Sequence, residues 1–231
     1  MPERSLFRIG SVSAMIGAVL AVVVNLLHPR AVTLENPEAF LRMIAESSRA
    51  LWLGDHIGII VADLLVTVGL IALARSVTRE PGAAWARLGY AGALVSAALL
   101  LLLMAADGIA IKRIAESWAG AGPAEKAAAF HAGRALAEVN LAILTVWIMV
   151  FWGATIIAYG LAIVTSDVYP RWLGWVALLA GLGSALDGLA LAFTGPSVLL
   201  GNILFPIFSI LITAWVFVMG LLLWRKASSA A

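Results

Sequence analysis

The chain contains no cysteine. That excludes disulfides, thiolate metal ligands and thiol nucleophiles. Charge is scarce: 12% of the 231 residues are Asp, Glu, Lys or Arg, against roughly 25% in an average soluble domain. Histidine occurs three times. There is no basic stripe, since 15 Lys/Arg stand against 13 Asp/Glu for a formal charge of +2. Nucleic acid is therefore not an expected partner. Any metal site has to be built from His, carboxylate, Asn or backbone oxygen.

What the chain has in excess is apolar surface. Hydrophobic residues make up 63% of it, and the mean hydropathy is +1.02. A soluble fold of this size cannot hide that much, so lipid must cover it. The expectation is an all-α polytopic membrane protein. A single transmembrane helical-bundle domain over 1–231 has spans near 9–27, 53–74, 85–106, 133–164, 172–193 and 198–224. The first span is read as uncleaved, because no small-residue cleavage site precedes the polar His28-Pro29-Arg30. In it Ser13, Gly17 and Ala21 form a small-residue row for close helix approach. Between the first two spans, Asn36-Pro37 is a helix start signal. Phe40, Met43 and Ile44 then share one face, so 37–50 reads as an amphipathic helix on the outer membrane surface. Pro206 removes a helix bond to the Asn202 carbonyl and should kink the last span.

Six spans put both termini on one side. That side carries Arg4, Arg8, Arg75, Arg79, Arg87, Arg171, Arg225 and Lys226 in tight turns and termini. The seven Lys/Arg of the other side are mixed with acids in longer loops. The positive-inside tendency then favours an inner (plasma) membrane protein with both termini cytoplasmic.

The stretch that carries most information is Leu51-Trp-Leu-Gly-Asp-His-Ile-Gly-Ile-Ile-Val-Ala-Asp63. An ionisable group at mid-membrane costs about 2.5–3.5 kcal/mol, so Asp63 calls for a partner. His56 and Asp63 lie on one helical stripe with Thr67. The expected partners of Asp63 are His56, Arg134 and Glu138. On this topology His28, His56 and His131 all fall at the outer ends of spans, with Asp55, Asp107, Asp187, Asn25, Glu138 and Asn202 in the same half. The expectation is an outward-facing polar pocket lined by His56, Asp107, His131, Arg134, Asp187 and Asn202. Asp63 and Glu138 are its catalytic candidates, and His28, His56 and His131 its metal-ligand candidates. Each residue also has an ordinary reading: helix-end histidines sit at interfaces, and Arg134 and Glu138 neutralise each other at i,i+4.

Three chemistries could use such a set. One is a zinc-type ion held by two or three His and a carboxylate, although no HxxxH or HExxH spacing is present. Another is acid–base work by carboxylates on a lipid-soluble substrate, in a membrane-embedded enzyme. The third is a proton relay in a carrier. A purely structural or assembly subunit is the remaining class. Membrane lipid and a small lipophilic ligand or headgroup are the candidate partners. The second and fourth spans each show His followed seven residues later by an acid, and Asp107-Gly108 is echoed by Asp187-Gly188. If real, this is a duplicated helix pair around a pseudo-symmetric site.

The segment Tyr169-Pro-Arg-Trp-Leu-Gly-Trp175 ends a turn and plants two Trp at the interface. With the six-span layout, it resembles a pattern in uncharacterised bacterial multi-pass membrane proteins. The resemblance implies membrane location and carries no activity or catalytic residue with it.

Overall fold

The computed structural model describes residues 2–28 and 36–229, with the side chains of 2, 198, 202 and 229 outside that description. Long runs of Ala, Leu, Val and Ile without proline leave the backbone one way to satisfy itself in lipid, which is the helix. Helices α1 (Pro2–Leu27), α2 (Pro37–Glu46), α3 (Arg49–Ser76) and α4 (Gly82–Met104) follow in order. A π-helical turn, Ala105–Ala110, joins α4 to α5 (Ile111–Gly120) without a break. In the same way α6 (Pro123–Trp147) runs through the π-helical Ile148–Thr155 into α7 (Ile156–Val164). Then come α8 (Arg171–Thr194), a third π-helical segment Val198–Leu204, and α9 (Phe205–Ser229). Six of these continuous helices are long and apolar enough to cross a membrane.

The third and fourth crossing helices extend beyond the expected spans 85–106 and 133–164: Gly82–Gly120 has 39 residues and Pro123–Val164 has 42. At about 1.5 Å per residue each reaches roughly 60 Å, twice the ~30 Å of hydrocarbon. Asp107-Gly108 was expected to end the third span. Instead the helix widens there and continues.

The overhanging hairpin of α5 and α6 meets α2. Asn36 caps α2 as anticipated, its Oδ1 accepting from Ala39 N at 3.0 Å. Leu41 and Ile44 are buried with Trp52, Ile111, Ala115 and Trp118, and Phe40 and Met43 pack around them. The apolar face of α2 is thus turned to protein rather than spread on lipid. Lys112, 1% exposed, closes the end of α2. Its Nζ donates to the carbonyls of Ile44 and Ser47, both at 2.6 Å.

Below this cap α1 lies against α3 with almost no side chain between them. A Cβ on Gly17 would sit 2.8 Å from Val66 N, and one on Gly69 would sit 2.6 Å from the Ala14 Cβ. Gly10, Ala14 and Gly17 make these close approaches to α3, Gly17 being a member of the expected row. The central core holds Leu70, Leu73, Ile156, Tyr159 and Ile163. The buried Tyr159 hydroxyl donates to the Leu70 carbonyl at 2.8 Å. Large apolar side chains such as Ile16, Leu26, Leu179, Leu186, Phe193 and Ile210 point outward, as lipid contact requires. Both termini share one end of the bundle, where Arg4 Nε donates to the Ala227 carbonyl at 3.1 Å.

Candidate functional site

At the opposite end, where α1 stops and α3 starts, four elements bring polar side chains together. α3 supplies Trp52, Asp55 and His56, spaced i, i+3, i+4 and hence on one face. The end of α1 supplies His28. The π-turn supplies Asp107 and Gly108, and α6 supplies Asn140.

His28 Nδ1 and Asp55 Oδ2 are 2.6 Å apart, a charge-assisted contact. The ring of His56 is 2% exposed. Its Nδ1 lies 2.7 Å from the Trp52 carbonyl. A carbonyl can only accept, so Nδ1 carries a proton and Nε2 is left with the lone pair in the neutral ring. Nε2 is 3.5 Å from Asp107 Oδ2 and has no other polar partner among the described residues. Asp55 Oδ1 and Asn140 Oδ1 are likewise buried and unpartnered. Asp107 is held from its other oxygen, which accepts from Asn140 Nδ2 at 2.7 Å. The His28 and His56 rings lie 5.0 Å apart, and the Trp52 ring is 4.8 Å from that of His56.

The π-turn makes this meeting geometrically feasible. Widening the helix by one residue per turn disturbs the regular bond ladder and leaves carbonyls for outside donors. The carbonyl of Gly108 is one of them, accepting from Trp52 Nε1 at 2.8 Å. The absence of a side chain at Gly108 matters equally, because a Cβ there would lie 2.8 Å from both Cβ and Cγ of His56.

One donor atom from each of His28, Asp55 and His56 lies within 4.8 Å of the others, a spacing that could hold a metal ion. A family model for a domain of unknown function, DUF4386, matches residues 6–226. The chain belongs to the DUF4386 family. Among curated proteins and solved structures nothing matches it. In this DUF4386 member the match takes in every element of the cluster.

The expected pocket residues divide. His28, His56 and Asp107 meet. His131, Arg134 and Glu138 do not join them: all three are on the exposed side of α6. His131 stacks edge-on with Phe130, at 5.7 Å between centroids. Arg134 and Glu138 make no ion pair with each other or with the cluster among the described residues. Asp187 is 4% exposed, and its Oδ1 has no partner among the described residues. Its neighbour Gly188 packs on Ile148 and Met149, whereas Gly108 packs on His56, so the two Asp-Gly steps do different work. The side chain of Asn202 lies outside the described residues. Asn25 donates to the carbonyl of Ala21 at 2.8 Å, within its own helix.

Asp63 is buried, and neither His56, Arg134 nor Glu138 reaches it. The shared stripe misleads, because seven residues of helix separate His56 and Asp63 by about 10 Å along the axis. Asp63 Oδ2 and Thr67 Oγ1 are buried without partners among the described residues. Trp52, Gly108 and Asn140 were not anticipated as site residues. For Trp52 and Asp55 the i, i+3, i+4 spacing with His56 was the available signal. Nothing in the sequence announces Asn140, which comes from a helix more than thirty residues beyond Asp107.

Proposed function

We propose that this protein is an integral membrane metal-binding protein. Its site is His28, Asp55 and His56, with Asp107 beside it, and its ion is of the zinc type. The observation that carries the reading is that one ligand atom from each of two imidazoles and a carboxylate lies within 4.8 Å of the others. Imidazole and carboxylate donors suit zinc and similar ions. His56 Nδ1 lies 4.0 Å from Asp55 Oδ2 and is bonded to the Trp52 carbonyl, so an ion shared with Asp55 would take that nitrogen from Trp52 or require the ring to turn. An ion would replace the proton shared by His28 and Asp55. It would open their 2.6 Å contact toward the ~3.4 Å that separates two ligands at about 2.1 Å around a tetrahedral centre. With three protein ligands and Asp107 at the margin, a coordination position is left for water or an anionic ligand.

A second reading is a membrane-embedded enzyme. It is favoured by the 2.6 Å His28–Asp55 contact, since a carboxylate-oriented imidazole is a general base. Both readings place the chain in a plasma membrane with its termini cytoplasmic, so that the cluster opens outward. The supporting observation is the Arg/Lys set in the tight turns and termini.

The test is metal analysis of detergent-purified protein after incubation with zinc and gel filtration. The expected result is about one zinc per chain, lost in His56→Ala and in Asp55→Asn and retained in His131→Ala. Failure of the wild type to keep zinc, or equal loss in His131→Ala, would sink the metal reading.

A further inference from the structure

The end of the bundle that carries the termini has a cavity of about 460 Å³, within the range of small-ligand sites. It opens where α3 ends, α8 begins and α9 stops. On its floor Tyr169 and Ser76, both nearly inaccessible, join hydroxyls at 2.7 Å. Burial pushes the Tyr169 hydroxyl up to about 12, the Ser76 hydrogen bond only partly opposing it, so the phenol keeps its proton at neutral pH. Lys226 stands in the wall. Its Nζ donates to the Ser76 carbonyl at 2.9 Å and lies 5.8 Å from the ring centres of both Tyr169 and Phe7, which holds the ammonium in place. Arg79, also in the lining, is exposed and makes no ion pair among the described residues. The acid in the lining, Asp167, is already paired with Arg171 at 3.1 Å. Leu222 and Val168 give the cavity an apolar side.

We propose that this cavity binds a phosphate group, with Arg79 and Lys226 as its cationic contacts. Two cations of different kinds suit the chemistry: the guanidinium grips phosphate oxygens as a fork, and the ammonium acts as a point charge. Of the acids nearby, Asp167 is paired with Arg171 and Glu3 acts on Lys226, so Arg79 carries the larger share of the contact. The level at the span ends and the apolar wall fit an anionic phospholipid, whose chains run down the bundle while the headgroup enters. A free phosphate ester presents the same group to the same residues. The site is independent of the imidazole cluster, which lies at the other end.

The experiment uses full-length protein in detergent. Binding of phosphatidylglycerol and of phosphatidylcholine is measured by native mass spectrometry, with and without millimolar glycerol 3-phosphate. Phosphatidylglycerol should bind more tightly than phosphatidylcholine. Arg79→Gln should weaken it about five-fold, and Arg42→Gln, at the far end, should leave it unchanged. Lys226→Gln should weaken it as well; its thermal midpoint is recorded in parallel, and Arg79→Gln decides if that variant unfolds. Competition by glycerol 3-phosphate would support the site and identify a soluble ester as a sufficient ligand. Absence of competition beside an Arg79-dependent preference would support it as a lipid site. Phosphatidylglycerol binding that Arg79→Gln leaves untouched would overturn the proposal.

Discussion

At the scale of single residues, the cluster depends on what Gly108 lacks. The Cβ and Cγ of His56 are the atoms a side chain at 108 would strike, and both are too close to the α3 backbone to swing aside. Gly108→Ala therefore has to shift either the imidazole or the π-turn that carries Asp107. The expected outcome is a folded protein whose zinc affinity falls about 10–100-fold, the range for disturbing the supports of a ligand. It is read by competition with a chromogenic chelator; unchanged affinity would detach Gly108 from the site. The three histidines and the acids around them were visible in the sequence as chemistry looking for a centre. What was not visible was depth along the axis. His56 and Asp63 share a stripe and never touch, whereas Asp55 and His56, adjacent in sequence, use neighbouring directions to meet His28 and Asp107. Periodicity gives direction around a helix, but contact also needs the same height.

At the scale of elements, the six apolar helices and the capped α2 were legible, because run length and the Asn-Pro start signal are local properties. The π-turns were not. No residue type compels a wide turn, and Trp52 and His56 meet Ala105–Ala110 at Gly108 where the helix widens. The docking of α2 was equally hidden, since an amphipathic face does not say whether lipid or protein covers it. Lys112 decides the matter. A buried ammonium that saturates the carbonyls ending α2 is a clamp with no counterpart in the hydrophobic pattern. Lys112→Met keeps the stem and removes the donor. It should cost about 3 kcal/mol locally, as expected for hydrogen bonds to a charged group and the carbonyls left behind. Hydrogen exchange should then speed up across Pro37–Glu46 and leave the protection of α8 unchanged. Uniform loosening of every helix would mean that Lys112 holds the whole bundle instead.

At the scale of the whole molecule, the overhang of the third and fourth crossing helices places the imidazole cluster beneath a protein roof, while the terminal end lies flush with its lysine and arginine fringe. Sidedness can be tested without background labelling, since the chain has no cysteine. A membrane-impermeant maleimide applied to intact cells should label Glu125→Cys in the overhang and spare Ser228→Cys near the terminus, with both reacting after lysis. The reverse pattern would invert the protein. Between the two ends Leu73, Ile156, Tyr159 and Ile163 are 0–1% exposed, and the Tyr159 hydroxyl bridges to α3. An ion held at the histidines, as proposed, would have that filled midsection between it and the opposite end. Translocation would first have to tear the phenol away from Leu70, so a conducting state, if one forms, must break that tie between α3 and α7.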